Sequence, residues 1–318
     1  MSAPLHDARP MTSPAPSTAP GMPEATRTAL PLAGLRAELD RIDNAIHDLL
    51  MHRAAVVEQV AAEGSKGRVA LRPGREAEIV RRLLARHTGR LPRRLLVRWW
   101  RELFAATTSM QGSYVIAVCE TEAANPFVQT AREHFGALTA LRVHRSPAQA
   151  IGDVSSGAAI AAVLPMPAEG EAASAAWWTA LLHRDEPRIH VVARLPFWAA
   201  RSAGAPQVQA LVVAAAAPDT SASHVTSASH ENGDRSLIGL ELKLETSRAR
   251  LASALTAAGF IPGDTILRRD QGAQVAQALV EVAGMVTDND PRLAALGDVL
   301  HRPVVLGAYA VPVQGEAA

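Results

Sequence analysis

The chain has 318 residues, 48% of them hydrophobic and 20% charged, enough for two or three domains with sizeable cores. Its net charge of +1 provides no field favouring nucleic acid or an anionic membrane surface, and no stretch reaches the ~18 consecutive apolar residues that read as a membrane span. One cysteine, Cys119, excludes an internal disulfide and fits a reducing cytoplasm, and its apolar setting, VIAVC, predicts a buried thiol rather than a nucleophile.

Residues 1–28 are rich in Pro, Ala, Ser and Thr and lack the apolar core of a secretory signal, so they read as a disordered tail. A long helix is predicted from near Pro31 through LAGLRAELDRIDNAIHDLLMHRAAVVEQVAAE. Its stripe of Leu32, Leu35, Leu39, Ile42, Ile46, Leu49, Leu50, Val56, Val57 and Val60 recurs mostly at spacings of three and four. A connector, GSKGRVALRP, leads to two further helices, GREAEIVRRLLARH and PRRLLVRWWRELFAATTSMQ. Arg36, Arg53, Arg75, Glu76, Thr107 and Gln111 stand off or inside the apolar stripes. Arginines on an amphipathic helix usually form a solvated face, but here geometry adds a constraint. Arg36 and Arg53 are 17 residues apart on one helix, about 25 Å of rise and about 100° of rotation. One chain cannot bring both to one small dianion; a partner subunit must supply one of them. The segment predicts a helical dimer with shared sites.

Three stretches carry a family resemblance: LxxLRxELDRIDxxIxxLLxxR at 32–53, RPxRExEIVRRL at 72–83 and WRELFAATTSMQ at 100–111. Together they resemble the all-α chorismate mutases, in which one long and two shorter helices intertwine as a dimer. The resemblance implies chorismate as substrate, prephenate as product and no cofactor, because the rearrangement is unimolecular. Catalysis would rest on selecting a compact conformer and stabilising charge toward the ether oxygen. By the same resemblance, Arg36 and Arg53 grip carboxylates, one from each subunit, with planar forks suited to that task. Arg75 supports the carboxylate end, Glu76 accepts from the ring hydroxyl, Thr107 stands where serine is usual, and Gln111, one turn on, donates to the ether oxygen. The family lysine expected 11 residues after Arg53 is Gly64 here. Lys66, one of only two lysines among 32 basic residues, is the nearest replacement. Arg72 stands where some members have aspartate.

After Gln111, strand-like runs (SYVIAVCE, ALTALRVHR, AAIAAVLP, RIHVVARLPF, QVQALVVAAA) alternate with helical ones (NPFVQTAREHFG, SPAQAIGDVSSG, ASAAWWTALLH). Ser146 is a predicted N-cap with Pro147 in the first turn. The alternation predicts an α/β layer with a mostly parallel sheet. Its HFG, SPAQAI, AAVLPMP and RIHVVARLPF echo the first half of a prephenate dehydratase domain. The chemistry-bearing turns of that family are absent: its glycine-rich turn is CETEAA at 119–124, its IENS-like turn is MPAE at 166–169, and its Thr-Arg-Phe is Val208-Gln209-Ala210. Val208 has no hydroxyl for a leaving group and Gln209 no charge for a carboxylate, so dehydratase activity is expected to be lost. Trp177 and Trp178 are expected in packing rather than in a ligand cage.

Residues 216–235 repeat TSASH and read as a flexible linker; His224 and His230 alone make no metal site. The remainder predicts β-α-β-β-α-β, the ferredoxin-like order, and resembles the ACT effector module. Its effector turns are replaced by Arg248-Ala249-Arg250-Leu251 and Leu267-Arg268-Arg269-Asp270, which predicts a structural or dimer-forming role. The expected architecture is multidomain: a tail (1–28), an all-α three-helix mutase domain (29–112), a degenerate dehydratase-like α/β domain (113–215), a linker (216–235) and an ACT-like ferredoxin-like domain (236–318). The expected activity is that of a cytoplasmic, homodimeric chorismate mutase of phenylalanine and tyrosine biosynthesis. The alternatives are a bifunctional mutase–dehydratase, a non-catalytic regulator on the same helices, or a related reaction on isochorismate.

Overall fold

The computed structural model describes residues 31–63, 71–201, 204–219, 233–297 and 299–315. The tail at 1–28, Gly64, Lys66, His224 and His230 lie outside the described residues. The chain divides into two compact units, Met1–Arg53 and Ala54–Ala318.

Helix α1 spans Leu32–Glu63 and starts directly after Pro31, whose carbonyl accepts the Leu35 N–H at 3.1 Å. It buries none of its residues. The apolar stripe that defines it lies open along its length, with Leu39 60% and Leu49 68% exposed. Helices α2 (Pro73–Arg86) and α3 (Arg93–Ser109) behave differently. Ala77, Val80 and Leu84 of α2 join Val97 and Phe104 of α3 in one cluster, which also takes in Phe197 from beyond the following strands.

Among the described residues nine strands form one sheet in the order β2-β1-β3-β5-β4-β9-β6-β8-β7. The strands are β1 (Val115–Cys119), β2 (Ala140–His144), β3 (Ala161–Pro165), β4 (His190–Leu195), β5 (Ala210–Ala214), β6 (Asp234–Leu242), β7 (Pro262–Arg268), β8 (Ala276–Ala283) and β9 (Val304–Ala310). Helices α4 (Pro126–Phe135) and α5 (Pro147–Ser155) follow β1 and β2, so β1 lies parallel to both β2 and β3. The Ser146 hydroxyl caps α5, accepting the Gln149 N–H at 3.4 Å. The expectation of a mostly parallel sheet fails from there on. No helix among the described residues joins β4 to β5, and a strand pair without a crossover must run antiparallel. Accordingly β5 is antiparallel to both β3 and β4.

The last four strands, with α6 (Arg248–Ala257) and α7 (Pro291–Ala294), follow a β-α-β-β-α-β order, paired antiparallel as β9-β6-β8-β7. The predicted helix DPRLAALGDVL shrinks to the single turn of α7: Asp290 caps it, accepting the Arg292 N–H at 3.0 Å. Residues 177–183 form a 3-10 helix rather than the predicted α-helix. Its tryptophans are buried and tied down, Trp177 Nε1 donating to the Pro165 carbonyl at 3.0 Å and Trp178 Nε1 to Glu171 at 3.1 Å.

The two halves of the sheet meet where β4 runs parallel to β9. The ladder there pairs Val191 with Gly307, and a further bridge joins Trp198 to Val313 beyond the strands. Gly307 has φ +143°, and a Cβ on it would stand 2.1 Å from the Val191 carbonyl oxygen, so the seam closes only over a glycine. Side chains reinforce it: Arg188 Nη2 donates to the Val305 carbonyl at 2.9 Å, and its guanidinium forks onto Asp288.

Just past β1, the fully buried Glu120 turns its carboxylate onto the start of α4. It accepts N–H groups from Glu122 at 3.0 Å, Phe127 at 3.0 Å and Val128 at 3.1 Å. The Phe127 and Val128 amides are unpaired donors of the α4 N-terminus and the Glu122 amide belongs to the turn before it, so the Glu120 carboxylate ties that turn to the helix. Beside it, burial, with the Glu120 charge second, pushes the Cys119 thiol up to about 11, consistent with an inert structural cysteine.

Candidate active site

In the first unit, Arg36 is exposed and Arg53 half-buried on the same unbroken helix α1. They are therefore about 25 Å apart along its axis.

In the second unit the polar set is distributed over α2 and α3. Pro73 opens α2 with its fixed φ, placing Arg75 and Glu76 in or beside the first turn, where a carboxylate is favoured by the helix dipole. Arg75 is exposed; its Nη1 donates to Glu78 at 2.7 Å and its backbone N–H to Asp219 at 3.3 Å. Arg72 is exposed and lies 3.8 Å from Asp219. Glu76 is drawn inward, accepting from Arg101 Nη1 at 2.8 Å. On α3, Thr107 is buried and donates its hydroxyl to the Leu103 carbonyl at 2.8 Å. One turn later, Gln111 Nε2 donates to the Thr107 carbonyl at 3.3 Å. Thr107 and Gln111 thus meet on one turn, and Glu76 meets α3 through Arg101.

Arg101 is the residue that sequence reasoning missed. It is 3% exposed, and an arginine that deep must be paired, because removing a cation from water costs several kcal/mol. Its partners come from every side. Glu76 takes Nη1, the Phe197 ring lies 4.7 Å from the guanidinium carbon, and Phe104 lies at 6.0 Å. His134 of α4 faces Nη1 through Nε2 at 3.4 Å. Facing a donor, that nitrogen carries the lone pair, which puts the ring proton on Nδ1. Nδ1 in turn has no hydrogen-bond partner among the described residues, nor has Arg101 Nε.

Burial depresses the Arg101 pKa, with Glu76 pulling the other way. Burial also holds His134 well below the usual histidine range, and the neighbouring Arg101 charge adds to this, so His134 is neutral at pH 7. Tyr114, just past α3, has its phenol pushed up by burial, with the Glu76 charge second. A signal for Arg101 existed: it lies four residues after Val97 and three before Phe104, on the buried face of α3.

The second unit offers a carboxylate fixed by a guanidinium and a hydroxyl–amide pair on one helical turn; the first unit, by itself, carries two arginine forks on α1. These are donors and acceptors for a polyanionic ligand, with no nucleophile among them. Among the described residues no three His, Cys, Asp or Glu side chains cluster as metal ligands, and no helix is long and apolar enough to cross a membrane.

The chain has no significant match among curated proteins. Among solved structures it is similar to GqqA, described as a novel type of quorum quenching acylase, at 15% identity and a TM-score of 0.44, covering 63% of this chain and 96% of that one. It is similar to prephenate dehydratase from Streptococcus mutans at 15% identity and a TM-score of 0.43, covering 63% and 98%. Prephenate dehydratase from Arthrobacter aurescens, in complex with L-Phe, gives 11% identity and a TM-score of 0.41, covering 64% and 92%. Within the chain, the family described as chorismate mutase type II matches residues 35–112, a span that holds Arg36, Arg53, Arg75, Glu76, Thr107 and Gln111. Residues 35–112 are thus the part of the chain that matches the chorismate mutase type II family.

Proposed function

We propose that this chain converts chorismate to prephenate, in cytoplasmic phenylalanine and tyrosine biosynthesis. The observation that carries the reading is the family match over 35–112, together with Arg36, Arg53, Arg75, Glu76, Thr107 and Gln111 on or beside its three helices. Arg36 of one subunit and Arg53 of the other hold the two substrate carboxylates. This compresses the chain into the compact conformer that a unimolecular rearrangement requires, and holding such a near-attack geometry is worth up to ~7–11 kcal/mol. Arg75 supports the carboxylate end. Glu76 accepts from the ring hydroxyl, and Gln111 donates to the ether oxygen as negative charge gathers there, with Thr107 beside it. Lys66 takes the part of the family lysine that Gly64 cannot play. The chemistry asks for no cofactor.

The homodimer is part of this reading. The exposed stripe of α1 is one support, and the exposed Trp99 of α3, at 53%, is another. Residues 29–112 are the mutase domain. Residues 113–215 are a dehydratase-like region that has lost its activity, since Val208-Gln209-Ala210 offers no proton donor and no cation there. Residues 216–233 are a linker, since Asp234 and Arg235, expected in it, open β6; 1–28 are a tail, and 236–318 an ACT-like module with a structural role.

The test is loss of chorismate absorbance with the full-length protein, with prephenate and phenylpyruvate quantified after quenching. Prephenate without phenylpyruvate, abolished by Arg53→Ala, is the expected result. A further large loss with Lys66→Ala assigns that lysine to the ether oxygen. Phenylpyruvate in the wild-type reaction would overturn the loss of dehydratase activity. No turnover at any substrate concentration would overturn the enzyme reading and leave a binding protein built on mutase helices.

A further inference from the structure

The Glu76 carboxylate does not stand alone on its helix. Arg101 Nη1 meets it at 2.8 Å, with the arginine side chain 3% and the glutamate side chain 14% accessible. A small ligand can thus approach Glu76 from the solvent side, while the guanidinium behind it is closed off. What closes it off belongs to the α/β region: His134 of α4 against Nη1 at 3.4 Å and the Phe197 ring at 4.7 Å.

A buried ion pair of this kind is a poor stabiliser, since apolar side chains of the same volume usually do as well. What a guanidinium does that an apolar residue cannot is hold a carboxylate in one orientation. We propose that Arg101 is a positioning residue for the helical site, fixing the Glu76 carboxylate through Nη1 while His134 and Phe197 fix Arg101, so that the α/β region sets the geometry of a mutase side chain.

This rests on the mutase reading, and it adds that the region after residue 112, stripped of dehydratase chemistry, retains a part in the remaining reaction. Among the described residues Arg101 Nε and His134 Nδ1 have no hydrogen-bond partner, so the two side chains meet only at Nη1 and Nε2.

The experiment is a double-mutant cycle on the full-length protein, with chorismate turnover as the readout. Arg101→Met and Arg101→Lys are each made alone and in a Glu76→Gln background; the lysine variant keeps the cation but not the fork, and carries the test where the methionine variant does not fold. His134→Leu is made beside them. The expected result is a fall in kcat/KM of about 100-fold for Arg101→Met, the scale of a displaced catalytic group. The fall is smaller for Arg101→Lys and several-fold for His134→Leu. In the Glu76→Gln background neither Arg101 variant causes a further fall. Equal losses with and without Glu76, or no loss, would overturn the proposal while leaving the mutase reading intact. Absence of turnover in the wild type would overturn both.

Discussion

Helix α1 leaves Leu39 60% exposed and buries nothing, whereas α2 and α3, in the same family segment, bury Ala77, Val80, Phe104 and even a guanidinium. All three helices are amphipathic by sequence, so the pattern of apolar residues does not separate them. What separates them is where the apolar face finds its cover. The cover of α2 and α3 is encoded later in the same chain, in Phe197 and its neighbours. The stripe of α1 is exposed at Leu39, Ile46 and Leu49, and in the dimer we propose it is covered by a second copy. Interactions of the first kind are independent of concentration; those of the second are set by it.

The sharpest way to break this contrast is to charge the stripe. Leu39→Glu with Ile46→Glu removes about 3–6 kcal/mol of apolar burial from the proposed association, before any cost of burying charge. The expected outcome is a monomer by light scattering with no measurable turnover, while the sheet keeps its unfolding transition. A dimer that survives both charges would show that α1 is not the interface. Next in size, Phe104→Ala strikes the cover that lies within the chain. It is expected to cost about 3–5 kcal/mol in denaturant unfolding, by the same amount at all protein concentrations. A concentration-dependent loss would mean that α3 also depends on the partner. Glu120→Ala leaves two amides at the start of α4 and one in the turn before it without their acceptor and is expected to cost about 2–3 kcal/mol. Glu120→Gln, which keeps one carbonyl oxygen, costs less.

The smallest effect is one of pH. The folded state holds His134 neutral with a depressed pKa, so the unfolded chain binds the extra proton first. The stability this represents is fully present above the ordinary histidine range, near pH 6.5, and falls as pH drops below it, by at most about 1.4 kcal/mol per pH unit. His190, depressed chiefly by burial, acts in the same direction. Melting temperatures taken from pH 7.5 down to 5.5 should fall, and His134→Gln should flatten the slope. An unchanged slope would mean that His134 is already protonated in the fold.

Much of this was legible in the residues. Spacings of three and four marked α1–α3, Pro147 after Ser146 marked the start of α5, and short β-branched runs marked β1, β3 and β5. The polar pair Thr107 and Gln111 falls on one turn because the helix period puts it there. What was not legible depended on tertiary partners. The direction of β5 is set by a connection that lacks a helix, and strand composition does not encode that. α7 stops after Ala294 although its apolar pattern reads as a full helix, and strand and helix composition do not account for that. Arg101 is one of many arginines in an arginine-rich chain; its spacing from Val97 and Phe104 put it on the apolar face of α3, but its role depends on His134 and Phe197, which spacing does not bring to it. Lys66 lies outside the described residues, so its part stands on sequence alone.

The seam between β4 and β9 has a dynamic side. Each strand is laddered along most of its length to its other neighbour, β4 to β5 and β9 to β6, but to one another only at Val191–Gly307, with the Trp198–Val313 bridge beyond. The apolar layer is not so divided: Val191 and Leu211 of one half pack in the same buried cluster as Leu237 and Leu306 of the other. The sparse ladder predicts that amides along the seam exchange with deuterium ahead of those deep in either half. Gly307→Ala, by forcing a methyl group against the Val191 backbone, would widen that difference.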